Sequence, residues 1–343
     1  MLTAMSLRQL PAMALACAAW AFAPGIWAQQ ATSGAAGPGE VRAWLLRIHQ
    51  AASQSNFHGT FVVSGAGSVS SARIAHFCDG GNQFERIESL DGQARHVFRH
   101  NDVVQTVWPD SRVVLIEQRD FVMSFPALLQ AGDDRIADFY EVQAQGGERV
   151  AGHEANVLRV KPKDAHRYGY RLWADKASGL LLRADVLGEQ GELLETSAFS
   201  EVSIGVKPHP DIVLAAMKRL DGFRVFRTQL TPTRLEAEGW SMRVAAPGFR
   251  QVSCVKRAMD GIGPGERDDG GPQVVQSIFS DGLTHVSVFI EPFNSKRHVR
   301  EMVASVGATQ TLMRRHGDWW ITVVGDVPPA TLRMFADNLD RKK

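Results

Sequence analysis

Two histidines four residues apart in "RHVFRH", His96 and His100, are the first side chains whose type and spacing could do chemistry. On a helix that spacing would turn both imidazoles toward one zinc ion. The residues around them alternate as a strand does, and at ~3.3 Å per residue the two rings start roughly 13 Å apart, too far to share a metal. The G-x-G of "SGAGSVSS" has no following helix pattern to cradle a phosphate and reads as a hairpin turn. "RDDGG" lacks the alternating acidic spacing and the distal Glu of a calcium loop. No G-x-S-x-G elbow, no H-E-x-x-H and no S-x-x-K with its partner motifs occurs. Neither a metal, nor a cofactor, nor an enzymatic reaction is expected.

The densest collection of charged and aromatic residues is "RYGYRLWADKASGLLLRADVLGEQGELLE", Arg167 to Glu195. Strand alternation puts Tyr168, Tyr170, Leu172 and Ala174 on one face, and Arg171, Trp173 and Asp175 on the other. After a turn at "KASG", where Gly179 suits a positive φ, Leu180, Leu182, Ala184 and Val186 share one face and Arg183 and Asp185 the other. The charges are thus expected on a solvated outer face, where such pairs contribute only a fraction of a kcal/mol.

These residues need a sheet to position them, and the chain supplies strands in succession. "EVRAWLLRIHQAASQ" sets Val41, Trp44, Leu45, Ile48 and Ala52 at helical spacing, and short β-rich runs separated by Gly, Asn, Asp and Pro follow. A short helical patch is expected at "SFPALLQAG". The fold class is α+β: an N-terminal curved antiparallel half-barrel sheet with packed helices, then a smaller C-terminal α+β domain. The expected divisions are a secretory signal peptide at 1–28, a first domain at 29–204, a linker at 205–228 and a second domain at 229–343. In the second, a helix is expected to carry Val299, Met302, Val303 and Val306, and a last helix Leu332, Phe335, Ala336 and Leu339.

Residues 1–28 carry one charge, Arg8, ahead of an apolar run ending in small residues, so export to the periplasm is expected, with cleavage after Ala28. The apolar run continues past Cys17, which disfavours lipid attachment there. Cys78 and Cys254 are expected as two buried thiols rather than a bridge. Lys and Arg number 20 against 24 Asp and Glu over residues 29–223, and 17 against 13 over 224–343. The mild basic excess at the rear permits an acidic partner but is too weak for nucleic acid.

The inner face of the first sheet is the candidate site. Phe61, Val63, Phe98, Val104, Trp108 and Val114, with Ile116, Leu158, Tyr170, Leu172 and Leu182, are assigned to one concavity, either an ordinary core or an open apolar cavity for acyl chains.

"NFHGTFVVSG" behind an amphipathic helix, the hairpins of "YGYRLWADKASGLLLRADVLGEQGELLE", "SIFSDGLTHVSVFIEP" and "WWITVVGDVPPATLRMFADNL" together resemble the RseB/MucB family of periplasmic sigma-E regulators. The resemblance implies a first domain like the lipoprotein carriers LolA and LolB. It also implies a protein that binds the periplasmic domain of an RseA/MucA-like anti-sigma factor, shields it from regulated proteolysis, and responds to lipid, lipopolysaccharide or mislocalised lipoprotein. A homo-oligomer is compatible with it. The positions matching its partner-contacting region include Ser280, Asp281, Gly282, Val324, Gly325 and Pro328, where turn and helix-start chemistry is the competing account of Gly325 and Pro328. A lipid or lipoprotein carrier without a signalling role is the alternative, for which over a hundred further residues would be superfluous.

Overall fold

A computed structural model describes residues 37–118, 135–228, 230–258 and 273–342. The signal peptide at 1–28, the helical patch at "SFPALLQAG" and the Gly-rich insert at 261–272 lie outside the described residues.

The chain enters through α1 (Pro38–Gln54), with Pro38 in its first turn and Val41, Leu45, Ile48 and Ala52 buried along one stripe. Then come β1 (Phe57–Gly65), β2 (Ser68–Asp79), β3 (Asn82–Ser89), β4 (His96–His100), β5 (Val103–Trp108) and β6 (Val113–Gln118). A short α2 (Ile136–Phe139) precedes β7 (Tyr140–Val150), β8 (His153–Pro162), β9 (Gly169–Asp175), β10 (Leu181–Leu187) and β11 (Leu193–Ile204). Helix α3 (Asp211–Lys218) and β12 (Arg224–Thr228) complete this part. The twelve strands form one open, curved sheet in the order β12-β6-β5-β4-β3-β2-β1-β11-β10-β9-β8-β7. Every neighbouring pair is antiparallel except β12 with β6. The turn of "SGAGSVSS" is a two-residue hairpin, with Ala66 and Gly67 at φ 50° and 76° between the partners Gly65 and Ser68, the backbone a type I′ turn requires.

The stretch 205–228, assigned by sequence to a linker, contributes β12 to the first sheet and α3 to the layer packed on it. Val213 of α3 is fully buried against Phe77, Phe84, Phe98, Val107 and Val114.

The second part holds β13 (Leu230–Pro232), β14 (Trp240–Met242), β15 (Arg250–Ala258), β16 (Gln273–Ser280) and β17 (His285–Pro292). It continues with β18 (Met302–Val306), β19 (Thr309–His316), β20 (Trp319–Gly325), α4 (Pro329–Asp337) and β21 (Leu339–Arg341). Seven strands run in the order β13-β15-β16-β17-β20-β19-β18, while β14 pairs with β21. The core lies between this sheet and α4, where Val286, Val288, Ile290, Ile321, Val323, Leu332 and Phe335 are fully buried.

One expected helix is corrected. Met302, Val303 and Val306 belong to β18, an edge strand paired with β19 from Met302 opposite Met313 to Val306 opposite Thr309. The i, i+3, i+4, i+7 spacing that suggested a helix marks no buried stripe here, since Val299 is 82% and Val306 68% exposed. β-branched residues bordering a turn at Gly307 satisfy a strand better than a helix. The last helix is as expected except that Leu339 has passed into β21.

The two sheets meet at a buried charge pair. The turn from β16 to β17 places Asp281 so that its Oδ2 accepts hydrogen bonds from the Tyr140 hydroxyl at 2.8 Å and from Arg167 Nη1 at 2.7 Å. Its Oδ1 accepts from the backbone N–H groups of Leu283 and Thr284, both at 2.9 Å, which shapes the turn itself. The Arg167 and Asp281 side chains have no exposed area. Arg167 also donates to Asp164 at 3.0 Å and to the Pro247 carbonyl, and its guanidinium lies 4.7 Å from the Phe139 ring centroid and 5.3 Å from that of Phe249. Burial opposes the Arg167 charge, but Asp281, Tyr140 and Asp164 outweigh it and its pKa is raised. Burial and then Asp281 push the Tyr140 hydroxyl well above its ordinary range, so it is a permanent donor. Thr331 of α4 adds a hydrogen bond to the His166 carbonyl at 3.0 Å, and Arg257 of β15 reaches Glu117 of β6 at 3.7 Å.

A buried pair of this kind is costly to break one-sidedly. Asp281→Ala, which strands the Arg167 guanidinium, is expected to lower unfolding stability by about 3–5 kcal/mol in urea titrations, and Arg167→Met together with Asp281→Leu by much less. In the second sheet, Val288→Ala is expected to cost about 1–3 kcal/mol and Val303→Thr, on the exposed edge strand, under about 0.5 kcal/mol.

Candidate functional site

Cross-strand partners in a sheet share a face, so the register determines which side chains meet above the first sheet. Phe61 of β1 lies opposite Ala72 of β2, Val63 opposite Ser197 of β11, and Ala184 of β10 opposite Ser197 as well. Across the other half, Ile87 of β3 pairs with Val97 of β4, and Trp108 of β5 with Val113 of β6. This face surrounds a groove of about 670 Å³, within the usual range for a ligand site. Its apolar wall includes Phe61, Val63, Ile87, Val97, Trp108 and Val186, with Tyr170 beside them. The β16–β17 turn enters with Leu283, Thr284 and His285, and Asp326 follows β20, so both sheets line the groove.

The lining is more polar than the apolar cavity read from sequence. Ser70, Ser89, Asp91 and Arg95 border it on the β2–β4 side, and Glu195, Ser197, His285 and Asp326 on the other. Burial raises the Glu195 pKa; the Ala308 N–H at 3.4 Å opposes the shift and the neighbouring Asp326 adds to it. Burial also lowers that of His285 against the opposing pull of Asp326 and Asp281, which favours the neutral imidazole. Tyr170 is held protonated, chiefly by burial. Aromatic and aliphatic walls with hydrogen-bonding groups among them describe a binding groove.

The sequence-assigned cavity residues divide into three groups. Phe61, Val63, Trp108 and Tyr170 line the groove. Leu158, Leu172 and Leu182 are buried in a closed cluster with Val41, Leu45 and Ile48 of α1, and Val104 is buried opposite Glu117 on the groove-side face. Phe98, Val114 and Ile116 are corrected to the opposite face, packed with Val213 of α3. Both faces of β4, β5 and β6 are covered, so apolar residues occur at both parities and alternation does not say which parity faces the groove.

The outer face of the Arg167–Glu195 stretch is corrected as well. Asp175 and Asp185 are buried rather than solvated, as is Trp173, which donates to Glu148 at 2.8 Å and carries the Arg183 guanidinium 4.4 Å above its ring. Arg183 grips Asp185 through two hydrogen bonds of 2.8 and 2.9 Å, and Asp175 caps the turn through Ser178 at 2.7 Å. A large aromatic under stacked arginines shields carboxylates that alternation alone would expose.

Of the six positions matched to a partner-contacting region, Ser280, Asp281 and Gly282 form the buried junction turn, Gly325 and Pro328 are buried, and Val324 is half-buried in β20. A Cβ at Gly325 would come within 2.6 Å of the His285 carbonyl, so the close strand approach requires glycine there. Sequence reasoning passed over Arg167 as the ligand of Asp281 and over the polar groups Glu195, His285 and Asp326. The one available signal was the Asp-Gly-Leu-Thr turn, whose Asp is placed to bond the next backbone amides. His96 and His100 sit on β4, stacked on Phe98 and Phe84. Among the described residues no group of three or more His, Cys, Asp or Glu could hold a metal, and no helix is long and apolar enough to cross a membrane.

Residues 40–219 match the model of the MucB/RseB N-terminal domain and residues 234–340 that of the MucB/RseB C-terminal domain. The chain is 30% identical over 302 residues to the sigma factor AlgU regulatory protein MucB of Pseudomonas aeruginosa, covering 85% of this chain and 88% of that protein. It is 24% identical over 305 residues to the sigma-E factor regulatory protein RseB of Haemophilus influenzae, covering 86% and 89%. The solved complex of Pseudomonas aeruginosa MucA and MucB contains a chain similar to this one with a TM-score of 0.65 and 29% identity, over 88% of this chain and 99% of that one. These relatives are regulatory proteins and not enzymes, and this chain belongs to the MucB/RseB family.

Proposed function

We propose that this chain is a periplasmic negative regulator of a sigma-E type envelope-stress response. It binds the periplasmic domain of a membrane anti-sigma factor, shields that domain from regulated proteolysis, and yields when lipid, lipopolysaccharide or a mislocalised lipoprotein occupies its groove. The observation that carries the partner is the likeness, over 88% of the chain and both sheets, to a MucB solved together with MucA. The groove carries the lipid arm: about 670 Å³ between an aromatic–aliphatic wall and a turn of the second sheet.

The two activities meet in one turn. Asp281 holds the junction, while Leu283, Thr284 and His285, two to four residues on, border the groove. A ligand that displaces these side chains acts on the turn that Arg167 and Tyr140 hold, and so biases how the sheets are joined. Because Ser280, Asp281 and Gly282 are buried, their part in partner binding runs through this joint, or through its opening, rather than through a surface already presented.

A carrier without signalling would also use the groove, so the partner decides between the two readings. The chain mixed with the periplasmic domain of the anti-sigma factor from the same genome is expected to form a complex at micromolar concentration and to slow cleavage of that domain; absence of a complex removes the regulator reading. Separately, native mass spectrometry with added acyl lipid is expected to show a bound species that Ala184→Trp, which fills the groove, abolishes and that Phe98→Leu, on the far face, leaves intact. Lipid binding equal in all three proteins would remove the groove from the account.

A further inference from the structure

Away from the groove-lining residues and the junction, the register of β2 and β3 assembles a cysteine, a histidine and a carboxylate. His76 and Cys78, two apart on β2, project from the same face, and Glu85 of β3 is the partner directly opposite His76. His76 Nε2 lies 3.5 Å from Cys78 Sγ, and its Nδ1 lies 3.4 Å from Glu85 Oε2. The imidazole is buried and stacks on Phe57, ring centroids 5.3 Å apart, which fixes its plane between the sulfur and the carboxylate. Cys78 is only partly buried and forms no disulfide.

Burial works against a charge on His76, yet its contacts with Cys78 and Glu85 outweigh that and carry its pKa up to about 9. Glu85 faces the ring from β3 and Cys78 from its own strand, and α1 presents the Ser53 carbonyl to the sulfur at 3.1 Å. The same carbonyl accepts from Gln83 at 3.0 Å, and Asn56, just past the helix, accepts from the Cys78 N–H at 2.8 Å. The sulfur thus stands between an imidazole held by a carboxylate and the last turn of α1.

We propose that Cys78 is a reactive thiol, a modification site for small disulfides, with the His76 imidazolium as the cation that holds its thiolate and Glu85 as the residue that positions the imidazole. The Cys78 proton is released to solvent, and the imidazolium donates Nε2–H to the resulting thiolate and Nδ1–H to Glu85. The thiolate attacks one sulfur of the disulfide; the new S–S bond forms as the reagent's S–S bond breaks, and the departing thiolate takes up a proton. Cys78 is oxidised and the released sulfur reduced. The adduct removes the S–H donor from the Ser53 carbonyl and leaves that carbonyl to the Gln83 amide.

Cys254 of β15 is the control within the same chain: also partly buried and free, with a pKa raised by burial. Alkylation by iodoacetamide and exchange with 5,5′-dithiobis(2-nitrobenzoate), each resolved by peptide mass spectrometry, compare the two sites. At pH 7 Cys78 is expected to react at least about tenfold faster than Cys254. His76→Gln is expected to bring Cys78 close to the Cys254 rate, and Glu85→Gln to slow it several-fold and move its pH–rate profile. Equal rates at the two cysteines, or a Cys78 rate and profile unmoved in folded His76→Gln, overturn the proposal. Should His76→Gln not fold, Glu85→Gln decides alone, with an unchanged profile as the negative outcome.

Discussion

The constraint on which the rest of this molecule depends is the burial of one guanidinium. Arg167 stands in the connection between β8 and β9 with no exposed area, and a charge there is tolerable only if its donors are satisfied. Asp281, Asp164 and the Pro247 carbonyl satisfy them, and three aromatic rings enclose the result. A hydrophobic substitute could hold two sheets together equally well or better; a charged pair instead specifies one register, because a slipped interface would leave both ions bare. The geometry of the groove follows, since the turn that supplies Asp281 also supplies part of its border.

Much of the first sheet was legible in the chain. Hairpin residues such as Ala66-Gly67, strand alternation around Tyr170 and Leu172, and the stripe of α1 correspond to local rules, and local rules are what a linear sequence records. Four of the groove's residues could be named from that alternation. Phe98, Val114 and Ile116 could not be sorted, because α3 covers the other face and makes both parities apolar. The edge strand β18 was hidden for a related reason: four residues at helical spacing carry no sign of whether anything covers them.

The joint was out of reach for a different cause. Arg167 and Asp281 are 114 positions apart, and no propensity links them. The family resemblance pointed to Ser280, Asp281 and Gly282 without indicating that they face inward. Trp173 misled in the same manner: a strand reading turns Asp175 and Asp185 outward, whereas Ser178 and His153 close over the first and Arg183 and Thr196 over the second. In each case the deciding information is what lies against a face.

The connection between the two sheets has a mechanical consequence. β12 is bonded in parallel to β6 until Thr228, and β13 starts its pairing with β15 at Leu230, so a single residue separates a strand of one sheet from a strand of the other. One residue spans at most ~3.6 Å, which leaves no slack for the parts to drift apart. Were the Arg167–Asp281, Thr331–His166 and Arg257–Glu117 contacts all released, this joint beside β6 would be the one point held covalently, so any separation would be widest at the far side. A larger separation would require β12 to peel from its neighbour, uncovering the β6 edge and converting a rotation of one part into a lengthening of the other's exposed margin.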